Sequence, residues 1–374
     1  MKKIMNFKCA IVLLFMAFGL GASSQSLKNE MMDRLGPVKQ LKAYSEKDYW
    51  VWCGSVIKGD DGCYHMFASR WPKRLPFHPG WLIASEIVHV TSDTPDGPYE
   101  FKDVALPARG AQYWDGRSTH NPRIMKYKDT YVLFYMGSTH PFKEFPYDQE
   151  LNLQSEYTIV GRSNKRIGIA YSKSLSGPWT RLDKPILETK PNTHYSYLTS
   201  NPAPWINEDG SVLLVFKARE YKGDSNTYSD MSINVASAPN FMGPYTVLNK
   251  EPIFSLEKNA EVEDPCIWKN KDGYHLLAKD QRGKVTGNPG HGLLAHSKDG
   301  LNWVLDDKPY AYSRTLRTES GEEITLGQME RCAVLLDENN DITHLFFATM
   351  NGPSGFENST ESWNVCVPLR KKTK

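Results

Sequence analysis

An all-β chain, folded as a five-bladed β-propeller with four antiparallel strands per blade, is predicted by two features of this 374-residue sequence. First, a short apolar run, a polar turn carrying Gly or Asn, and a second run rich in aromatics recur five times. Second, four of the copies are followed by a further apolar run that ends in Gly-Pro-Trp, Gly-Pro-Tyr or Gly-Leu-Asn-Trp. A single four-stranded sheet cannot bury both faces, so repeated sheets of this kind stack on one another around an axis.

The elements follow in order. Blade one pairs Ser55-Val56-Ile57 with Tyr64-His65-Met66-Phe67, then adds Val88–Ser92 and Gly97-Pro98-Tyr99. Blade two pairs Pro122–Met125 with Tyr131–Tyr135, followed by Ile169–Ser172 and Gly177-Pro178-Trp179. Blade three pairs Pro204–Ile206 with Val212–Phe216, then Val235–Ser237 and Gly243-Pro244-Tyr245. Blade four pairs Cys266–Trp268 with Tyr274–Leu277, then Leu294–Ser297 and Gly300–Trp303. Blade five pairs Cys332–Leu335 with His344–Phe347 and has only Trp363–Val367 as a third strand. Its outer strand is expected from the N-terminal segment around Leu41 to Trp52, which removes an open sheet edge. The blades are expected at 50–106, 118–187, 199–254, 262–310 and 328–370, within one domain spanning 25–374.

Residues 1–24 read as a cleavable signal: Met1-Lys2-Lys3, an apolar run from Ile11 to Leu20, then Gly21-Ala22-Ser23-Ser24. Cys9 lies before the apolar run rather than after the small residues, so no lipid-anchor cysteine is expected. No later run is long enough to span a bilayer. The expectation is a periplasmic or secreted protein without membrane insertion. With 45 Lys and Arg against 43 Asp and Glu, well mixed, the net charge of +2 provides no basic stripe, which argues against a nucleic-acid partner. Five cysteines follow the signal, an odd number without zinc spacing, and buried free thiols are expected.

The first strand of every blade in a propeller lines the central channel, so the residues at its start converge on one end of the axis. Aligned on one another, these are Trp52-Cys53-Gly54, His120-Asn121-Pro122-Arg123, Ser200-Asn201-Pro202, Glu261-Val262-Glu263-Asp264-Pro265 and Gln328-Met329-Glu330-Arg331. Carboxylates crowded at close range raise one another's pKa, an arrangement suited to acid and base work. Glu263 is the first choice for a general acid. Strand alternation sends Glu261 and Glu263 to one side and Asp264 to the other. Asp264 reads foremost as a turn hydrogen-bonder at its Asp-Pro step, like Asn121 and Asn201 at theirs, with a catalytic role as the alternative. Glu330 and Arg331 are an axial dyad or an ion pair between blades. Asp115, His120 and Arg123 form a polar stretch before a channel strand, where substrate-gripping residues are expected. His291, in Asn288-Pro289-Gly290-His291-Gly292, is a candidate sugar ligand or an exposed turn residue. The chain is 12% aromatic; most rings should fill gaps between blades, with Trp52, Trp81, Trp114 and Tyr195 the candidates for stacking on sugar.

These residues resemble the five-bladed propeller glycoside hydrolases, the superfamily that includes families 32, 43, 62 and 117 and related sucrase-like proteins. The resemblance spans almost the whole chain after the signal. Its most specific pieces are Lys128-Asp129-Thr130-Tyr131, Asp272-Gly273-Tyr274, the Ser-x-x-x-x-Gly-Pro-aromatic copies, and Glu263-Asp264-Pro265, which is similar to the Glu-Gly-Pro that carries the acid in family 43. The stretch from Glu261 to Trp303 also resembles the corresponding blade of family 117, whose members release anhydro-galactose from agar fragments. The family's usual base and pKa-tuning aspartates are replaced here by Cys53-Gly54-Ser55 and Asn201. The resemblance therefore implies an exported, exo-acting, inverting hydrolase of a plant or algal oligosaccharide with a relocated base, for which Glu330, Asp115 and Asp264 are the candidates. Expected substrate-binding residues are Trp52, Trp114, His120, Asn121, Arg123, Asn201, His291 and Arg331. Two alternatives are a glycan-binding propeller that has lost the base, and a polysaccharide lyase that uses His or Tyr as base and Arg331 or Arg123 to neutralise a uronate. No catalytic metal or other cofactor is expected, although relatives can hold a structural calcium in the channel.

Overall fold

The computed structural model describes residues 28–146, 148–224 and 227–371. Five antiparallel sheets form the blades. Their innermost strands are Tyr49–Lys58, Ser118–Tyr127, Leu198–Ile206, Val262–Asn270 and Gln328–Leu336. Each of these packs against the innermost strand of the next blade, and the fifth against the first, which closes the ring. Blades one, two and four run through four strands in chain order from axis to rim. Blade three does the same, and Phe254–Ser255 adds a further pairing to its third strand. The expected signal segment lies outside the described residues. Among the described residues no helix is long and apolar enough to cross a membrane.

Blade five has three strands, Gln328–Leu336, Ile342–Met350 and Ser362–Pro368. Its outer edge is covered by the N-terminal segment, which meets the expected span at Ala43 and Tyr44 but begins earlier, at Leu35, and ends before Tyr49. Leu35 bridges Leu369 and Tyr44 bridges Asn364, both antiparallel. Tyr49–Lys58 is committed instead to the axis of blade one, where its alternating aromatics pair with Tyr64–Pro72. The apolar runs seen in the sequence fill the seams. Val51, Met66 and Val88 of blade one meet Ala333, Phe346 and Cys366 of blade five. Phe67 and Ile87 meet Leu133 and Tyr135 of blade two. Burying side chains of this size stabilises by about 1.5–3 kcal/mol each. In the Asp272-Gly273 hairpin, Gly273 has φ +122° and a Cβ there would lie 2.7 Å from the Ser297 carbonyl, so only glycine fits.

The hairpin register slips near the start of every innermost strand, at Trp52/Ser55, His120/Arg123, near Ala203, at Glu263/Cys266 and at Glu330/Ala333. At each slip one residue takes a left-handed conformation: Cys53 (φ 60°), Asn121 (54°), Asn201 (49°), Asp264 (57°) and Arg331 (55°). Asn and Asp tolerate this region; Cys and Arg do not ordinarily adopt it. A bulge repeated five times turns these five side chains toward one another across the axis.

The second and third strands of each blade are joined by loops on the same face as these bulges. Two of the loops carry short helices, Phe77–Ala84 in blade one and Glu156–Ser163 in blade two, which pack against each other.

Candidate active site

The five left-handed residues form a belt of hydrogen bonds. The Cys53 thiol donates to Asn121 Oδ1 (2.7 Å), Asn121 Nδ2 to Asn201 Oδ1 (2.8 Å), and Asn201 Nδ2 to Asp264 Oδ1 (2.9 Å). Arg331 then donates to Asp264 through its guanidinium and through its backbone N–H (3.1 Å to Oδ2). Burial pushes the Cys53 thiol up to about 12, so it is a neutral donor here and not a thiolate. Asn121, Asn201 and Asp264 are consumed by this belt, and none of the three lines the cavity above it.

That cavity encloses about 230 Å³ at the loop-bearing end of the channel. Its floor is Glu263 and Glu330, the residues just before two of the bulges. Glu263 bonds Lys217 Nζ (2.5 Å) and Lys279 Nζ (2.9 Å), and Lys279 also bonds Glu330 (2.5 Å). Arg331 approaches Glu263 at 3.9 Å. The two carboxylates respond differently. Burial favours the neutral form of Glu263, but the charges of Lys217, Lys279 and Arg331 outweigh it and hold the carboxyl well below its usual range. Burial likewise raises Glu330; Lys279 opposes, but Asp264 and Glu263 repel a further negative charge, and the net shift is upward. The asymmetry follows from the pairing: Glu263 shares two lysines, while Glu330 has one.

Around this floor the wall is aromatic and basic. Trp52, Trp71, Phe77, Trp81 and Phe356 contribute rings. His120 stacks on Trp81 (4.8 Å between centroids) and bonds Ser85 Oγ through Nδ1 (2.9 Å). Burial, with Arg331 and Lys165 nearby, keeps His120 well below its usual pKa, hence neutral. Arg162, Lys165 and Arg219 complete the wall from blades two and three.

Trp52, His120, Glu263, Glu330 and Arg331 are thus brought together, and Asn121, Asn201 and Asp264 lie beneath them. Trp114, Asp115, Arg123 and His291 are not in the cavity. Trp114 packs on Tyr135 over two glycines, Gly137 and Gly168, where any Cβ would collide with its ring. Asp115 is fully buried, bonded to Arg109, Arg181 and Tyr135 within the blade-two seam. Arg123 follows the bulge rather than preceding it and opens on the opposite end of the channel, donating to the Pro265 carbonyl (3.4 Å). His291 begins a strand rather than sitting in a loop, and its ring bonds Tyr310 (2.7 Å). Glu261 precedes its strand and turns to Arg282 (2.6 Å), away from Glu263. Tyr195 packs toward Phe216 at the rim of blade three.

Lys217, Lys279 and Lys165 were not singled out from the sequence. The available signal was a lysine interrupting an apolar second strand, as in Leu-Val-Phe-Lys217 and Leu-Leu-Ala-Lys279, each in register with a residue at the start of the axial strand (Ser200 and Glu263). Oxygens of Glu263, Asp264 and Glu330 lie within 4.8 Å of one another. The structural calcium allowed by the resemblance nevertheless does not fit this donor set, because every one of these carboxylates is already met by lysine or arginine and the cation needs six to eight oxygens.

The architecture matches solved structures across nearly the whole chain. The fold is that of the five-bladed glycoside hydrolases. A family 117 glycoside hydrolase from Zobellia galactanivorans is 17% identical, with 89% of each chain covered and a TM-score of 0.62. BT0996, solved as an RGII complex, is 14% identical over 94% of this protein and 98% of that one, with a TM-score of 0.65. A family 43 β-xylosidase/α-arabinofuranosidase from a compost metagenome, bound to xylotriose, is 13% identical over 91% and 96%, with a TM-score of 0.59. No family model and no curated protein sequence matches the chain.

Proposed function

We propose that the protein is an exported glycoside hydrolase that removes a terminal sugar from a plant or algal oligosaccharide, with Glu330 as proton donor and Glu263 as the ionised carboxylate. The observation that carries this reading is the Glu263–Lys279–Glu330 bridge at the floor of an aromatic-walled cavity, in which the unequal lysine pairing shifts the two carboxyls in opposite directions. Trp52, Trp81 and Phe356 supply faces on which a sugar ring can stack, and the enclosed volume favours a chain end over the middle of a polymer. Solved neighbours of the same fold, in complexes with xylotriose or RGII, support a carbohydrate ligand. Export rests on the leader pattern of residues 1–24.

Stereochemistry follows from spacing. Inverting enzymes hold their carboxyls about 6.5–9.5 Å apart to admit water, and retaining enzymes hold them about 5–5.5 Å apart. The approach of one oxygen each of Glu263 and Glu330 within 4.8 Å supports retention over the expected inversion: Glu263 attacks the anomeric carbon while Glu330 protonates the departing oxygen, and water, deprotonated by Glu330, then displaces the sugar from Glu263. No metal enters this reading, since the lysines already supply the positive charge at the floor.

A second reading, a polysaccharide lyase, is favoured by one observation: neutral His120 stands among cations, which is the pairing needed to abstract a proton beside a neutralised uronate. One experiment separates the readings. The mature protein is incubated with plant and algal oligosaccharides, and products are followed by chromatography, ultraviolet absorbance and proton NMR. The hydrolase reading expects a released saturated sugar whose initial anomer matches the substrate and which is lost in Glu330→Gln. An ultraviolet-absorbing unsaturated product would replace it with the lyase, and an initially inverted anomer would remove Glu263 as nucleophile.

A further inference from the structure

The cavity holds more positive charge than its own carboxylates consume. Lys217 and Lys279 are engaged by Glu263 and Glu330, and Arg331 by Asp264. Lys165 and Arg219 are different. Lys165 is buried at 5% exposure, lines the cavity, and has its ammonium 5.0 Å from the centre of the Trp81 ring. Among the described residues no carboxylate lies within salt-bridge distance of it. Arg219 donates to the Ser229 carbonyl and lies over Tyr228 at 4.8 Å, again without a carboxylate partner among the described residues. Tyr228 also carries Arg162 against its ring at 5.5 Å, so three cations share one wall.

A buried cation without an anionic partner, as Lys165 is, is costly, and the neighbouring cations repel it. The electrostatics of Lys165 agree: burial, then Lys217, Arg162, Arg219 and Arg331, all disfavour its charged form. An anion from outside the protein would relieve each of these costs at once. The lining supplies suitable donors, a guanidinium fork for a planar or tetrahedral oxyanion and an ammonium as a point charge beside it. The floor is occupied by Glu330 and by the ionised carboxylate of Glu263, which repels such a group, so the anion belongs on the wall and the scissile bond above the floor.

We propose that the sugar bound in this cavity is acidic, carrying a carboxylate or a sulfate ester that docks between Lys165 and Arg219. The inference rests on the cavity being the carbohydrate site and narrows its substrate class to uronate-bearing or sulfated saccharides. Lys165 and Arg219 are its specificity-determining residues.

The test is titration calorimetry of the full mature protein with galacturonate, glucuronate, galactose 6-sulfate, galactose and glucose. At least one acidic sugar is expected to bind at least about tenfold more tightly than its neutral counterpart, a difference of about 1.4 kcal/mol. Which acidic sugar binds separates carboxylate from sulfate. Lys165→Met and Arg219→Gln should each abolish that preference, whereas Glu330→Gln should keep it; thermal melts confirm that each variant is folded, and two variants guard against one failing. Equal affinity for acidic and neutral sugars, no binding of any acidic sugar, or an unchanged preference in both variants would overturn the proposal. Preference for an acidic sugar with no cleavage of any acidic oligosaccharide would sink the hydrolase reading and leave this one standing. Efficient cleavage of neutral oligosaccharides alone would do the reverse.

Discussion

At one end of the central channel the axial strands present Trp52, His120, Glu263 and Glu330; at the other the same strands present Val56, Ile124, Ala203, Ile267 and Ala333 around a space of about 120 Å³. The dividing line is the left-handed residue of each strand. Before it, side chains face the loop-bearing mouth, where lysines from the second strands and rings from the connecting loops reach them. After it, the apolar side chains face one another across the channel and pack into the seams between blades. Polarity along these strands therefore tracks which loops overhang each end, and one strand serves chemistry and packing in succession.

The comparison can be broken most sharply at the mouth. Glu330→Gln should lower kcat about 10²–10⁴-fold on whichever oligosaccharide is cleaved, with KM little changed, because it removes a proton donor and leaves the shape intact. The pH profile sharpens the assignment. On the proposed mechanism Glu330 acts protonated, so activity should fall as pH rises through that group's raised pKa, and Glu330→Gln should erase this limb; an acidic limb set by Glu263 should lie below the ordinary glutamate range.

At the dividing line the effect should be on stability. Arg331→Met leaves Asp264 buried without its guanidinium, at a cost of about 3–5 kcal/mol read as a lower urea midpoint. His120 adds a smaller, pH-dependent contribution. Its pKa is depressed in the folded protein, so the unfolded chain takes up a proton as pH drops below 6.5 while the native ring does not, and stability should decline from there downward. His120→Gln should flatten that decline. The smallest change is expected at the opposite end: Arg123→Met should leave kcat/KM within about twofold, and a large loss there would move the functional end of the channel.

The blades were legible because hairpins and their Gly-Pro-aromatic ends repeat whatever the function. The site was legible only where it depends on position along an axial strand. Aligning strand starts found Glu263, Glu330 and His120, but Arg123 lies two residues past its bulge, and that slip moves it to the far mouth. Asp115 and Trp114 looked like ligands because they precede a channel strand, yet the loop folds back and buries them in a seam. Lys165, Arg219 and Phe356 come from connecting loops or their edges, whose placement depends on every preceding blade and leaves no periodic trace. The protonation order of the two glutamates depends on lysines donated by the second strands of blades three and four, a pairing visible only in three dimensions.

The belt from Cys53 to Arg331 crosses four of the five seams, and the fifth is spanned by Asn364, which accepts from the Gly54 N–H at 2.8 Å, and Ser362, which accepts from Val51 at 2.9 Å. The hoop behaves as a clasp that fastens only when the last-synthesised blade meets the first. A nascent chain still lacking the strand Ser362–Pro368 would hold Glu263 and Glu330 without this fastening. Maturation of the pocket must therefore wait until Ser362–Pro368 has been made and has met the first blade.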